Sequence, residues 1–501
     1  MCGIAGQIGA PIGQDTIAEL HQRMAGRGPD QNGYWSDAVC TLVHARLAVI
    51  DLEGGVQPMS LGDKVIVYNG EIYNTSEVRA ELAARGRRFE GHSDTEVVLH
   101  AYDEWGEDCL QRLNGIFAFA VWDGARLFAA RDRMGVKPFF YSERDGLFCF
   151  ASEIKGVLAF PHMNAELDWD GICEVMLLGP GRTPGCGVFR GICELPPAHC
   201  GYYEPGRGFS CRQYWSIRER KHTESFEETV EHVRFLVTDS IERQLISDVP
   251  VCTFLSGGLD SSLISSVAAR RAKTAGKRLS TVSVTYKDNE KYFQAGHFQP
   301  NSDERYIRMM SEYLDSDHHL IEIDSPELAD ALYDAVEARD LPGMADVDSS
   351  LLLFCREIKK IGTVALSGEC ADEIFGGYPW YRDKDIRMTD GFPWAQSTAY
   401  RAGFLREELA QHIDAQTYVY QKYRNTIETV QKPAYLSETD RRMREMTRLN
   451  LDWFMQTLLE ALDLWKNDKS LIRHSQNLHN PFVDIHQDGG YNVRHQTNKR
   501  R

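Results

Sequence analysis

The stretch S-G-G-L-D-S-S at residues 256–262 constrains the fold of this chain more than any other part of the sequence. It follows the apolar run V-P-V-C-T-F-L at residues 249–255 and precedes apolar residues at helical spacing between positions 263 and 268. This order predicts a strand, a glycine-rich turn and a helix. Adjacent glycines let backbone N–H groups approach an anion, and the start of a helix adds a positive dipole end. The stretch therefore predicts a phosphate-binding loop.

Two interpretations of this loop remain open from the stretch alone. No lysine follows the glycines, so the loop is not of the G-x-x-x-x-G-K-[ST] type, and its hydroxyls suit pyrophosphate equally well. The plain alternative is that the glycines form an ordinary loop and that the serine or Asp260 only caps the helix.

Helices and strands alternate in the sequence after Phe226. We predict helices at residues 226–246, 303–314, 326–340 and 349–359, and strands at 281–286, 319–323 and 363–366. Such alternation indicates a parallel sheet with ligands at the carboxyl ends of its strands. The last strand runs into S-G-E-C-A-D-E-I-F-G-G-Y at residues 367–378, whose acidic residues suit magnesium or a substrate amine. They would meet Asp260 only if both strands are central in the sheet; otherwise they form an acidic helix start.

The N-terminal half begins with a candidate nucleophile. Cys2 follows Met1, and removal of the initiator methionine would leave a thiol and an α-amine on one residue. An α-amine has a pKa of about 7.7–8.0 and can serve as the base for the thiol. Further motifs have plain structural interpretations. Residues 44–51 predict a strand with one arginine, N-G at 69–70 suggests a hairpin turn after a strand at 65–68, and S-D-T-E at 93–96 suggests a capping box.

Taken in order, the N-terminal motifs resemble those of the class II glutamine amidotransferases, which are N-terminal nucleophile hydrolases. The motifs are C-G-I-A-G, R-G-P-D, R-L-A-V-I-D, N-G-E-I-Y-N and H-S-D-T-E. The resemblance implies an α+β domain of four layers (αββα) in which Cys2 attacks the glutamine side-chain amide. It implies that the Asn69 side chain and the Gly70 N–H stabilise the oxyanion. The implied glutamine-binding residues are Arg46 for the α-carboxylate, Glu71 and Asp94 for the α-ammonium group, and Leu47, Ala48, Val49 and Ile50 beside them.

The C-terminal half resembles the N-type ATP pyrophosphatases. With D-L-P-G-M-A-D-V-D-S-S at residues 340–350 added, the whole chain is similar to the glutamine-hydrolysing asparagine synthetases. That resemblance implies adenylation of the aspartate side chain by ATP, with Mg²⁺ on Asp260 and Asp372, and attack by ammonia on the β-aspartyl-AMP. It implies that Glu369 and Asp372 hold or deprotonate the ammonia, or bind aspartate. The implied ATP-binding residues are Leu255, Ser256, Gly257, Gly258, Asp260, Ser261, Ser262, Val284, Ser367 and Gly368.

Length and charge bound the remaining expectations. We expect a glutaminase domain at residues 2–210 and an α/β parallel-sheet ATP pyrophosphatase domain at 225–485 within the 501 residues. A net charge of −17 disfavours nucleic acid, and neither a signal peptide nor an apolar run of about 18 residues is present. We therefore expect a cytoplasmic enzyme with small-molecule substrates; its oligomeric state, a homodimer included, stays open. Four clustered cysteines lack the spacing of a zinc site, which favours buried free thiols: Cys186, Cys193, Cys200 and Cys211.

The resemblance weakens after about residue 460. The lysine that the family places beyond this point to meet the phosphates has no counterpart, and Lys499 is not assigned to that role. Two alternatives follow: a related amidotransferase acting on another carboxylate, or a homologue that keeps only glutamine hydrolysis or nucleotide binding. An intact Cys2 argues against relatives that use no ammonia.

Overall fold

The computed structural model describes residues 2–218, 222–296, 301–464 and 477–479. Its N-terminal half has two six-stranded sheets, with strand orders β10-β8-β9-β1-β3-β2 and β12-β11-β7-β6-β5-β4. The strands are β1 (Gly3–Ile8), β2 (Gln31–Ser36), β3 (Cys40–Arg46), β4 (Met59–Leu61), β5 (Lys64–Ile72), β6 (Gly115–Trp122), β7 (Leu127–Arg131), β8 (Phe140–Arg144), β9 (Leu147–Ala151), β10 (Cys193–Glu194), β11 (His199–Glu204) and β12 (Gly208–Gln213). The helices are α1 (Gln14–Arg23), α2 (Thr75–Ala84), α3 (Asp94–Trp105), α4 (Ile154–Val157) and α5 (Trp169–Cys173), with a 3₁₀ turn at Gly106–Gln111 and a π turn at Glu174–Leu178.

Apolar side chains assemble these elements into four layers. Between the two sheets, Ile4 of β1 belongs to the same buried cluster as Val67 of β5. Leu20 of α1 covers the outer face of the first sheet. Val97 of α3 packs with Phe119 on the outer face of the second. Each sheet is thus apolar on both faces, and the predicted αββα arrangement is confirmed.

Strand β5 is longer than predicted. It continues through Asn69 and Gly70 to Ile72, paired along its length with β6. A Cβ on Gly70 would lie 2.3 Å from the carbonyl oxygen of Ile116, so the neighbouring strand leaves no room for a side chain. The hairpin interpretation of N-G is therefore wrong, because strand pairing overrides the local turn preference.

Strand β3 is shorter than predicted, and the expected strand at residues 44–51 is wrong beyond Arg46. The chain turns after Arg46 because the guanidinium of that residue binds the carbonyl oxygens of Ile50, Asp51 and Leu52, which folds the segment back. Asp51 lies in the left-handed region, with φ of 51°. Residues 47–55 form a loop instead, called here the 47–55 loop.

The C-terminal half contains a parallel sheet, as the alternating pattern predicted, with strand order β15-β14-β13-β16-β17. The strands are β13 (Val251–Phe254), β14 (Ser280–Tyr286), β15 (Asp317–Ile323), β16 (Val364–Leu366) and β17 (Asn477–His479). The helices are α6 (Phe226–Gln244), α7 (Leu259–Thr274), α8 (Asn289–Tyr292), α9 (Glu304–Leu314), α10 (Ser325–Asp330), α11 (Leu332–Arg339), α12 (Ala345–Ile358), α13 (Ala371–Phe375), α14 (Pro379–Arg382), α15 (Lys384–Met388), α16 (Thr398–Ala402), α17 (Glu407–Ala410), α18 (Ala415–Ile427), α19 (Glu438–Leu449) and α20 (Met455–Leu464), with a π turn at Asn450–Phe454.

One predicted helix is divided in the structure, and another begins earlier than predicted. The helix expected at residues 326–340 forms as α10 and α11, with Ala331 between them. The helix expected from Ser349 begins at Ala345. Its early start follows from Asp348, whose carboxylate accepts from the Met344 N–H at 3.0 Å and pairs with Arg339 at 2.9 Å. Within the described ranges, no helix is both long enough and apolar enough to cross a membrane.

The two halves share a buried cluster. Leu47 and Val49 of the 47–55 loop belong to the same apolar core as Leu236 and Ile241 of helix α6. A loop of the N-terminal half is therefore packed directly against the first helix of the C-terminal half.

Candidate active sites

A pocket in the N-terminal half brings together most of the predicted glutamine-binding residues. Cys2 precedes β1, Arg46 ends β3, Asn69 lies on β5 and Asp94 begins α3. The lining is Cys2, Arg46, Leu47, Val49, Ile50, Gly55, Gln57, Tyr68, Asn69, Gly70, Glu71, Ser93, Asp94, Thr95 and Lys137. Ala48 is the predicted residue that does not line this pocket; its N–H donates to the Asp30 carboxylate at 2.9 Å.

The Cys2 thiol is half-buried beside this pocket. Its Sγ lies 3.7 Å from the carbonyl oxygen of Leu47, and its own carbonyl oxygen accepts from Arg27 Nε at 3.0 Å. Arg27 thus fixes the backbone from which the thiol projects. The surrounding protein desolvates the thiol and raises its pKa. Formation of the nucleophilic thiolate therefore requires a nearby base.

The Asn69 side chain is the most informative polar group in the pocket. It is 1% exposed, and neither its Nδ2 nor its Oδ1 has a hydrogen-bond partner among the residues that the structure describes. Leaving a buried donor or acceptor unpaired costs about 1–3 kcal/mol, so such groups are rare. A donor held unpaired in the same pocket as a cysteine suits an oxyanion that forms only during reaction.

Two carboxylates, Glu71 and Asp94, line the same pocket as Asn69. Their chemical role is the opposite of the Asn69 donor, because a carboxylate accepts hydrogen bonds. Asp94 Oδ2 accepts from the Tyr68 hydroxyl at 2.7 Å and from the Ile72 N–H at 3.2 Å. Burial raises the pKa of Asp94 to about 6. A cationic ligand group would further favour the ionised form, which suits an α-ammonium group.

The turn that leads into Asp94 differs from the predicted capping box. Ser93 Oγ accepts from the Thr95 N–H at 3.1 Å. Glu96 instead accepts from the backbone N–H groups of Glu90 at 2.6 Å and Gly91 at 3.1 Å. The S-D-T-E motif therefore ties the preceding turn to the helix rather than closing a reciprocal cap.

Arg46 holds the 47–55 loop. Its Nη1 donates to Gln31 Oε1 at 2.8 Å and to the Leu52 carbonyl at 2.9 Å, and its Nη2 donates to the Asp51 carbonyl at 2.6 Å. These bonds fix the planar guanidinium at the pocket wall. An arginine fixed in this way loses little further freedom when it meets a carboxylate.

The predicted phosphate loop has the expected strand–turn–helix geometry. It connects β13 to α7, and Gly257 at its centre has φ of 78°. A Cβ there would lie 2.6 Å from Tyr306 Cβ, so both the backbone angle and the space require glycine. Ser256 Oγ lies 2.9 Å from Ser261 Oγ and 3.3 Å from the Gly258 N–H, which closes the turn.

The acidic residues after β16 do meet the phosphate loop. Strands β13 and β16 are neighbours in the middle of the sheet, and a Cβ on Gly368 would lie 3.2 Å from Asp260 Cβ. Burial and the negative charge of Asp372 raise the pKa of half-buried Asp260 to about 6. Glu369 and Asp372 are exposed. The remaining predicted ATP residues lie on or directly after the neighbouring strands: Leu255 N–H bonds to the Val282 carbonyl at 2.9 Å, on the strand that carries Val284, and Ser367 directly follows β16.

These carboxylates fit a magnesium ion bound together with phosphates. In the part of the chain that the structure describes, no three His, Cys, Asp or Glu side chains form a complete metal site. Magnesium usually takes one or two carboxylates and fills its octahedron with water and substrate phosphates. Asp260 and Asp372 supply that number, and the negative charge of Asp372 raises the pKa of Asp260.

Glu373, the third acid of the motif at residues 367–378, had no individual role assigned from sequence. It is 1% exposed, it accepts from the Tyr378 hydroxyl at 2.5 Å, and burial raises its pKa to about 7. Glu373 directly follows Asp372 in α13. Which of these adjacent acids is buried and which is exposed depends on the residue at which the helix begins. In the glutamine pocket the sequence also gave no signal for Gln57, whose Oε1 accepts from the Tyr68 N–H at 2.7 Å and whose Nε2 donates to Thr95.

The clustered cysteines are free thiols in the structure. Cys186 and Cys193 face each other across an isolated antiparallel bridge. Burial raises the pKa of Cys186 and of Cys200 to about 11, and Cys211 is exposed on β12. Of the four, Cys200 is buried, so the prediction of buried thiols is wrong for Cys186, Cys193 and Cys211, which lie at or near the surface.

The fold and the two sites define a class of protein: an N-terminal nucleophile amidotransferase joined to an ATP-using, phosphate-loop half. The glutamine amidotransferase domain family matches residues 1–215, and the asparagine synthase family matches residues 232–486. The chain belongs to the glutamine-hydrolysing asparagine synthetase family. It is 48% identical over 497 residues to asparagine synthetase (glutamine-hydrolysing) 3 of Bacillus subtilis (strain 168), across 97% of this chain and 79% of that protein.

Two further relatives show the breadth of the family. Asparagine synthetase (glutamine-hydrolysing) 1 of the same strain is 34% identical, across 76% of this chain and 60% of that protein. Amidase chry2 of Gibberella zeae is 30% identical, across 78% of this chain and 61% of that protein. The chain thus spans less than two thirds of these two relatives.

Proposed function

We propose that this enzyme converts L-aspartate into L-asparagine, with ATP and with ammonia released from L-glutamine. The products are asparagine, AMP, pyrophosphate and glutamate. The observation that supports this proposal best is the meeting of the phosphate loop with Gly368 and the acidic residues after β16, in one chain with the Cys2 pocket. The first site releases ammonia and the second activates a carboxylate to receive it.

In the first site, the Cys2 thiolate attacks the side-chain amide of glutamine. The Asn69 Nδ2 and the Gly70 N–H donate to the oxyanion, which makes use of the amide that the protein leaves unpaired. Arg46 binds the α-carboxylate, while Glu71 and Asp94 bind the α-ammonium group. The α-amine of Cys2, once Met1 is removed, takes the thiol proton and returns it to the leaving ammonia.

Replacement of Asn69 by alanine is expected to lower kcat for glutamine hydrolysis by about 10²–10³-fold, since one oxyanion donor is lost in a buried site. The KM for glutamine should change little, because the donor acts mainly in the transition state. Steady-state release of glutamate measures both quantities. A higher KM for glutamine with an unchanged kcat would contradict the assignment.

Glutamine binding is expected to weaken as the pH falls through about 6, the pKa to which burial raises Asp94. The carboxylate is ionised above that pH and is protonated below it, so its attraction for the α-ammonium group is lost on acidification. Calorimetric titration of glutamine into the Cys2→Ala variant measures affinity without hydrolysis. The additional substitution Asp94→Asn should remove this pH dependence; affinity that keeps the same pH dependence without Asp94 would contradict its role.

In the second site, the phosphate loop and the start of α7 hold the phosphates of ATP. The ATP contacts come from Leu255, Ser256, Gly257, Gly258, Asp260, Ser261, Ser262, Val284, Ser367 and Gly368. Asp260 and Asp372 would bind Mg²⁺, which neutralises the phosphate oxygens when it is present. Glu369 and Asp372, both exposed, hold the ammonia or accept its proton as the amide forms.

Oxygen transfer from aspartate to AMP tests the adenylation step. When the side-chain carboxylate attacks the α-phosphorus, one of its oxygens becomes the bridging atom and leaves with AMP. Aspartate labelled with ¹⁸O in that carboxylate should therefore give AMP that carries one ¹⁸O atom, as measured by mass spectrometry. Unlabelled AMP would show that water, and not aspartate, attacks ATP.

A second candidate function is amidation of a different carboxylate. The similarity to amidase chry2 favours including it, because that relative has another activity name and is 30% identical over a stretch that covers 78% of this chain. Pyrophosphate release in the presence of ATP, with aspartate compared against other carboxylic acids, separates the two functions. Release that depends on another acid and not on aspartate would select the second.

The domain division, location and assembly are also part of the proposal. We propose a glutaminase domain at residues 2–210, an ATP pyrophosphatase domain at 225–485, a cytoplasmic location and small molecules as partners. The divergent segment after about residue 460, including Lys499, lies largely outside the described residues. Sedimentation of the protein at several concentrations would decide between a monomer and a homodimer.

A further inference from the structure

Asp248 of the C-terminal half contacts the wall of the glutamine pocket. It lies between α6 and β13. Its Oδ2 accepts from the Asp51 N–H at 2.9 Å and lies 3.0 Å from His92 Nε2. Its own N–H donates to the Val49 carbonyl at 3.2 Å. One residue thus bonds to two separate segments of the other half.

Asp51 extends these contacts to the start of helix α3. Its Oδ2 accepts from the N–H groups of His92 at 2.8 Å and Ser93 at 3.1 Å. Its Oδ1 accepts from the Gly54 N–H at 2.9 Å, which closes the 47–55 loop on itself. The bonds made by Asp248 therefore reach both walls of the pocket, since Val49 and Ile50 line one and Ser93 and Asp94 line the other.

The charges of Asp248, His92 and Asp51 are mutually compatible. The bond to His92 lowers the pKa of Asp248, and the same bond raises the pKa of His92. Burial acts to raise the pKa of Asp51, but the N–H groups of His92 and Gly54, which donate to its carboxylate, lower that pKa overall. The His92 side chain is 65% exposed, so that ion pair alone contributes little. The bonds from Asp248 to the backbone of residues 49 and 51 are the ones that can fix the loop.

The segment that carries Asp248 is itself firmly held. Just after it, the Pro250 carbonyl accepts from the N–H groups of Thr363 at 3.1 Å and Val364 at 3.2 Å, where β13 and β16 begin. The other ends of these strands lead to the phosphate loop and the acidic residues. Helix α6, just before Asp248, packs on Leu47 and Val49 of the loop. Asp248 therefore projects from the rigid frame of one half onto a loop of the other.

We propose that Asp248 is a positioning residue through which the C-terminal half holds the 47–55 loop and the start of α3 in the shape that binds glutamine. This inference rests on the proposed function of the pocket. It predicts that glutamine binding depends on a residue outside the half that hydrolyses glutamine. Synthesis from free ammonia, which needs no glutamine, does not depend on it.

The test compares two nitrogen donors. The Asp248→Ala variant should show a KM for glutamine about tenfold higher, as expected for lost hydrogen bonds to a charged group, with kcat within about twofold. Its rate with ammonium chloride in place of glutamine should stay at the wild-type level. The KM of the Asp248→Asn variant should lie between those of the wild type and Asp248→Ala, because the amide oxygen still accepts from the Asp51 N–H.

A matched control uses another contact between the two halves. Arg243 of α6 pairs with Glu77 of α2 at 2.7 Å, away from the pocket lining. The Glu77→Gln variant weakens this contact and should leave the KM for glutamine unchanged. An equal rise in that variant would overturn the proposal, because general docking of the halves would then explain both.

The remaining outcomes are also decisive. An unchanged KM in Asp248→Ala, or an equal loss of the ammonia-dependent rate, overturns the positioning role. If Asp248→Ala does not fold, Asp248→Asn decides: a raised KM with intact ammonia-dependent synthesis supports the role, and an unchanged KM overturns it. Failure of the function proposed for the pocket looks different, since the wild-type protein itself would then hydrolyse no glutamine, and the inference would fall with it.

Discussion

Replacing Cys2 by alanine is expected to abolish glutamine-dependent asparagine formation while ammonia-dependent formation continues. Among the described residues that line the pocket, Cys2 carries the one thiol, which forms the covalent intermediate in the proposed reaction. Loss of a nucleophile of this kind lowers kcat by about 10⁴-fold or more. The second site is untouched, so ammonium chloride should restore asparagine and pyrophosphate. Glutamate and asparagine are measured in parallel with each donor.

Cys211→Ser provides the matched control for this experiment, because that thiol is exposed on β12 away from the pocket. It should leave both activities unchanged. Glutaminase activity that persists in Cys2→Ala would refute the nucleophile. A loss of activity with both nitrogen donors would instead indicate that the substitution disrupts the fold.

The converse effect is expected for Asp372→Asn, which should abolish synthesis and spare glutamine hydrolysis. An amide is a weaker magnesium ligand than a carboxylate and cannot accept the proton of ammonia. The negative charge of Asp372 also contributes to the raised pKa of Asp260, so the substitution changes the ionisation of Asp260 as well. We expect pyrophosphate release to fall by about 10²–10⁴-fold. Glutamate release, measured on the same sample, should stay within about twofold of the wild type.

Asp385→Asn serves as the control, since this exposed aspartate lies in the first turn of α15, beyond the acidic residues. It should leave both activities intact. Loss of glutaminase together with synthesis in Asp372→Asn would assign Asp372 a structural role. An unchanged rate of pyrophosphate release would exclude it from the second site.

Local features of the two sites were predictable from sequence. The phosphate loop depends on glycines, hydroxyls and a helix start that follow one another, so S-G-G-L-D-S-S was sufficient to predict it. Its meeting with the acidic residues was not predictable, because it depends on β13 and β16 being neighbours in the sheet. From the sequence, the adjacency of these two strands could be named as a requirement for the meeting but could not itself be predicted.

The errors in prediction have a common physical cause, which is that tertiary contacts override local preference. N-G at residues 69–70 favours a turn in isolation but lies within β5, because β6 pairs with it. Residues 47–51 have the composition of a strand but form a loop, because Arg46 binds their carbonyl oxygens. Asp248 gave no signal at all, since its partners lie 156 and 197 residues away in the chain.

Product analysis with glutamine labelled with ¹⁵N in its side-chain amide, together with ATP, Mg²⁺ and aspartate, tests the central proposal most directly. The proposed function predicts asparagine labelled in its side-chain amide, with glutamate, AMP and pyrophosphate formed in equal amounts or with glutamate in excess. Glutamate formed without labelled asparagine and without pyrophosphate would contradict it, and would leave a glutaminase joined to a half that does not act on aspartate.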